Sequence, residues 1–133
     1  MTTNDIYELV TRAIQENITE PWTVAQLTVQ YLTSSQDVEF EGTYLDASGE
    51  AQQLSTEFPD DVTEAVQALF ANRSSEGQPR SNRLAITVSA QGRLAADYSW
   101  DQEIQDEDDH FSNGGTVKEW IRIREARYGS TPE

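Results

Sequence analysis

Leu84-Ala85-Ile86-Thr87-Val88-Ser89-Ala90-Gln91-Gly92-Arg93-Leu94-Ala95-Ala96-Asp97-Tyr98-Ser99-Trp100 alternates twice. Leu84, Ile86 and Val88 point one way, and Ala85, Thr87 and Ser89 the other. Beyond Gln91-Gly92 the alternation resumes at Leu94, Ala96, Tyr98 and Trp100. A period of two is the signature of a half-buried strand, and two such runs joined by a short glycine turn make an antiparallel hairpin. The stretch upstream repeats the pattern. Ala25, Leu27, Val29 and Tyr31 alternate with Gln26, Thr28 and Gln30, Ser34-Ser35-Gln36-Asp37 turns, and Val38, Phe40, Gly42 and Tyr44 alternate with Glu39, Glu41 and Thr43. Residues 46–53 are small and polar, with Gly49, and read as a loop or a further hairpin turn, and Leu54 to Phe58 as a short third strand.

Between and around the hairpins the period changes to that of a helix. Ile6, Leu9, Val10, Ala13, Ile14 and Ile18 form one stripe, with Thr3 or Asn4 as cap and Asp5 and Glu8 in the first turn. Pro21 blocks its continuation. Pro59-Asp60-Asp61 opens a second helix whose stripe is Val62, Ala65, Val66, Leu69 and Phe70, and residues 72–82 form a polar loop. Thr116 followed by Glu119 starts a third, with Val117, Trp120, Ile121, Arg124 and Tyr128 on its buried face and Gly129 and Pro132 as its stop. The order helix-hairpin-helix-hairpin-helix, with no βαβ crossover, predicts an α+β fold: an antiparallel sheet built from hairpins, with helices packed on one face. The length, 133 residues, fits one domain over 1–133.

Composition narrows the function. Twenty-four Asp and Glu stand against 9 Lys and Arg, a formal charge of −15. Such a chain repels phosphates and anionic membrane surfaces, so no direct nucleic-acid or membrane contact is expected. It suits a partner with a basic surface. The absence of cysteine excludes disulfides and thiolate metal sites, and a single histidine excludes multi-histidine sites. No phosphate-binding glycine loop, G-x-S-x-G elbow or H-E-x-x-H motif occurs. The N-terminus is acidic and carries no targeting pattern, and no apolar run approaches a membrane span, so a cytoplasmic location is expected. No cofactor, catalytic residue or bound metal is expected, and the chain is read as a non-enzyme.

The candidate binding site is the acidic run expected as a loop over 101–110: Asp101, Glu103, Asp106, Glu107, Asp108 and Asp109, with Trp100 beside it. These carboxylates create a local potential that docks an Arg/Lys-rich protein and speeds its encounter. The alternatives are a solvated charge run that only maintains solubility, and a Ca²⁺ loop, against which the missing EF-hand order counts. Trp100 shares parity with Leu94, Ala96 and Tyr98, which places it on the core side, but its position makes it the candidate aromatic anchor. Trp120 is assigned to the core. Glu39 and Glu41, two apart on a strand, share a face at about 6.5–7 Å, a spacing that also occurs in acid–base pairs, although a solvent-facing strand accounts for it. His110 reads as a surface loop residue. Lys118, Arg122, Arg124 and Arg127 give the last helix a basic character suited to contacts with the acidic run before it.

The hairpin Leu84–Tyr98 with its turn glycine and closing Asp97-Tyr98, the acidic stretch after Trp100, Glu119-Trp120 and the tail Tyr128-Gly129-Ser130-Thr131-Pro132 together resemble the YezG-like antitoxin family. Trp22 before the first strand and the N-terminal helix suit the same layout. The resemblance implies an immunity protein that binds and neutralises a cognate secreted bacterial toxin, often a nuclease, in the producing cell. The other expectation is an acidic protein-binding domain of a salt-adapted organism with no toxin partner.

Overall fold

The computed structural model describes residues 2–128. The elements run α1 (Thr3–Asn17), β1 (Trp22–Leu32), β2 (Asp37–Asp46), β3 (Ala51–Gln53), α2 (Asp60–Ser75), β4 (Arg83–Ser89), β5 (Leu94–Ser99), α3 (Gln102–Ser112) and α4 (Val117–Tyr128). The class is α+β. One five-stranded sheet has the order β3-β2-β1-β4-β5, and every neighbouring pair is antiparallel. The two hairpins therefore join through β1 and β4, with Leu27 opposite Ile86. This join puts the longest apolar strand in the middle of the sheet, where both its edges are paired.

The alternation read from the sequence holds in β1, β2, β4 and β5. Ala25, Leu27, Val29, Leu84, Ile86 and Val88 are buried on one face, and α1 and α2 deliver Ile6, Val10, Ile14, Val62, Val66 and Leu69 against them. Full burial of each such side chain contributes about 1.5–3 kcal/mol. The cap of α1 is Thr2 rather than Thr3 or Asn4: its hydroxyl accepts from the Asp5 N–H while the Asp5 carboxylate accepts from the Thr2 N–H. That reciprocal pair satisfies two helix-end donors, and a cap one residue later would forfeit it. At α2, Pro59 is the cap itself and makes no side-chain cap bond.

The third strand is displaced from its expected place. β3 covers Ala51–Gln53, and residues 54–58 leave the sheet. Leu54 donates one more backbone bond to Gly42 at 3.0 Å and then turns its side chain inward. A Cβ at Gly42 would lie 2.7 Å from Leu54 Cδ2 and 3.1 Å from the Gln26 carbonyl oxygen. The glycine thus leaves the space that Leu54 fills, and burial of Leu54 draws the chain off the edge. Phe58 continues inward to meet Phe40 edge-on at 5.2 Å.

The largest departure is at the acidic run, which is helix α3 and not a loop. Asp101 caps it, accepting from the N–H groups of Glu103 at 2.9 Å and Ile104 at 3.4 Å. Gln102 and Gln105 donate their amides one turn ahead, to Asp106 and Asp109. The run holds no Gly or Pro. α3 packs against α4 and β1. The fully buried Asn82 pins its start: the amide donates to the Asp101 carbonyl, and the side-chain oxygen accepts from the Asp101 N–H, each at 2.8 Å.

α4 begins where expected, with Thr116 accepting from the Glu119 N–H, but its expected apolar face is mostly not core. Trp120 is buried, whereas Val117 is 65 % exposed, Ile121 51 % and Tyr128 42 %. α4 packs on α3, and α3 offers no apolar stripe wide enough to cover that face. Gly129 and Pro132, expected to stop the helix, lie outside the described residues.

Candidate functional site

The expected binding carboxylates divide into two sets when α3 forms. Asp101 is consumed by the cap. Glu103 pairs with Arg124 on α4. Asp106 accepts from the Tyr128 hydroxyl, from Gln102 at 2.9 Å and from Arg127 at 3.1 Å. Those donors, the Tyr128 hydroxyl foremost, hold the Asp106 carboxyl below the usual range, and donation to Asp106 in turn pushes the Tyr128 phenol up to about 12. Asp108 accepts from the Ser34 N–H at 3.1 Å and its hydroxyl at 2.6 Å, which ties α3 to the β1–β2 turn. Four of the six expected docking groups thus hold α3 in place.

Glu107 and Asp109 are the two exposed carboxylates of the set. Glu107 makes no ion pair among the described residues. Partial desolvation, then the charges of Glu103 and Glu39, push its carboxyl up. Glu39 lies on β2, far off in sequence. Glu107 on α3 and Glu39 on β2 are therefore close enough for the charge of one to act on the other. Glu39 pairs across with Gln30, and Glu41 with Thr28, and these four side chains line a shallow hollow of about 250 Å³. Strand parity placed Glu39 and Glu41 on one face; their junction with α3 had no sequence signal, because it depends on where a helix after β5 crosses.

α4, packed on α3, leaves one side uncovered, with Val117 and Ile121 one turn apart. Phe111, at the end of α3, adds 38 % exposure. His110 is not a loop residue. Its Nε2–H donates to the Thr116 carbonyl at 2.8 Å, and its ring stacks at a tilt on Trp120 with centroids 5.9 Å apart. Any Cβ at Gly115 would collide with that ring. His110, Gly115 and Trp120 therefore set the angle between the two helices.

Trp100 belongs to neither the core nor the acidic surface. It is half-buried, donates Nε1–H to Gln102 at 2.9 Å, and carries the Arg80 guanidinium 3.9 Å over its ring. It lines a cleft of about 760 Å³ between the end of α2, the 76–82 loop and α3. Among the described residues no three His, Asp or Glu side chains converge as a metal site, and no helix is long and apolar enough to cross a membrane. No protein-family model matches the chain, and no curated protein matches it.

Proposed function

We propose that this chain is an immunity protein of the YezG-like kind, a non-enzymatic antitoxin that holds a basic cognate toxin, a nuclease, in the cytoplasm of the producing cell. The observation that carries this reading is the placement of exposed apolar side chains, Val117 and Ile121, on the helix packed against the acidic one. Protein interfaces combine an apolar centre with a charged, steering margin. A charge run that served solubility alone would not need uncovered valine and isoleucine beside it. The charge of −15 adds the complement to a surface built to hold a polyanion. The contact residues in this reading are Val117, Ile121, Glu107, Asp109 and Glu39.

The test is protection. The neighbouring reading frame is searched for a basic toxin-like domain, the chain is co-expressed with it, and growth is scored. The expected result is rescue by the natural chain and loss of rescue in Val117→Asp/Ile121→Asp, whose thermal unfolding stays close to the parent's. Rescue that survives the double substitution moves the contact elsewhere. Turnover of any substrate by the purified chain, or no rescue at all, removes the antitoxin reading.

A further inference from the structure

The cleft beside Trp100 carries positive charge on a strongly negative molecule. Two arginines define it. Arg73, from the last turn of α2, lies with its guanidinium carbon 3.7 Å over the Tyr98 ring, and Arg80 lies 3.9 Å over Trp100. Stacking fixes the plane of each guanidinium and leaves its N–H edge available, the arrangement that favours bidentate capture of planar or tetrahedral oxyanions. The Nε of Arg73 is buried and has no hydrogen-bond partner. That atom is closed off by packing, so capture of an oxyanion falls to the terminal N–H groups of Arg73. Neither arginine pairs with a carboxylate among the described residues.

The rest of the lining fits the same ligand. Ser74 and Ser81 bring hydroxyls, whereas the Ser75 hydroxyl donates to the Asn72 carbonyl, and the floor is aromatic, with Tyr31 stacked on Phe70 at 4.7 Å. The volume, about 760 Å³, lies within the range of roughly 300–1,000 Å³ usual for small-molecule sites. One carboxylate, Asp109, also reaches the rim, but one of its oxygens accepts the Gln105 amide at 2.8 Å. We propose that this cleft binds a small organic oxyanion, a carboxylate or a phosphate, clamped between Arg73 and Arg80 with its body on the aromatic floor. The site shares only the rim residue Asp109 with the contact surface proposed for the toxin, and it does not depend on that reading.

Calorimetric titration of the full chain with succinate, with inorganic phosphate and with phenyl phosphate, in about 0.1 M NaCl to screen the net charge, tests this. Saturable heat is expected from at least one probe. Succinate alone assigns the site to carboxylates, either phosphate alone assigns it to phosphates, and a gain from the phenyl group reports the aromatic floor. Arg80→Gln, on an exposed loop, and Arg73→Lys, which keeps the charge but loses the fork, should each weaken binding about tenfold. Arg93→Gln, in the β4–β5 turn, should leave it unchanged. Absence of saturable binding to all three probes overturns the proposal. So does binding that survives both cleft variants, or that falls equally with Arg93→Gln.

Discussion

Asn82 is the one polar side chain fully buried among the described residues, and both ends of its amide are used on Asp101. Its backbone is engaged too, accepting from Tyr31 and donating to Ser99. Replacing it with alanine leaves the part-buried Asp101 N–H unpaired and its carbonyl with only the Gln105 N–H at 3.3 Å. The expected cost is about 1–3 kcal/mol, read from urea unfolding. Asn82→Asp should be at least as damaging, because a carboxylate cannot donate to the Asp101 carbonyl. Asp46 offers a second test at a single side chain. Donation from Ser48, then from Gln52, lowers its carboxyl to about 2. A folded-state value below the unfolded one stabilises the fold above the unfolded value, and this contribution disappears as pH falls through the folded value. The stability gap between the parent and Asp46→Ala should therefore hold steady above about pH 4 and narrow between about pH 4 and pH 2. A gap independent of pH would show that the Asp46 turn is held by packing alone.

Among the elements, α3 is the one whose existence depends on residues distant in sequence. Six acids crowded into nine positions repel one another along a helix. Arg124, Arg127, Tyr128 and Ser34 offset that repulsion by engaging Glu103, Asp106 and Asp108. A contrast between two double variants follows. Glu107→Lys/Asp109→Lys removes like-charge repulsion at exposed positions and should leave the unfolding midpoint equal or raised. Asp106→Lys/Asp108→Lys breaks the ties to α4 and to the β1–β2 turn, and should cost about 2–4 kcal/mol. Equal effects from the two would mean that α3 is not anchored through Asp106 and Asp108. The same division bears on the proposed toxin contact. With the toxin in hand, only the first variant reports docking cleanly, as a slower association with a flatter dependence on salt.

For the molecule as a whole, the charge of −15 is a global strain on the folded state. The Debye length falls from about 30 Å at 0.01 M salt to about 8 Å at 0.15 M. The midpoint of thermal unfolding should rise over that interval and then level off, since the core is an ordinary apolar one formed by α1, α2 and the sheet. Continued gain into molar salt, with loss of structure in dilute buffer, would favour instead the domain of a salt-adapted organism.

Alternation in Leu84–Trp100 and in residues 25–44, with the stripes of α1 and α2, was enough to determine the sheet face, the two hairpins and the core, because side-chain period is a property of the backbone itself. The acidic composition was legible only as net charge, and the use of Asp101, Glu103, Asp106 and Asp108 in holding α3 was not. Three features were decided only in tertiary structure. α3 needed counter-charges from α4 and a cap held by Asn82. Val117 and Ile121 have the spacing of a core stripe, and they are exposed because nothing in the chain packs over them. Arg73 and Arg80 come to one cleft only because α2 ends where α3 begins. Period is encoded locally, whereas burial and charge pairing depend on what lies opposite, and that is set only when distant segments meet.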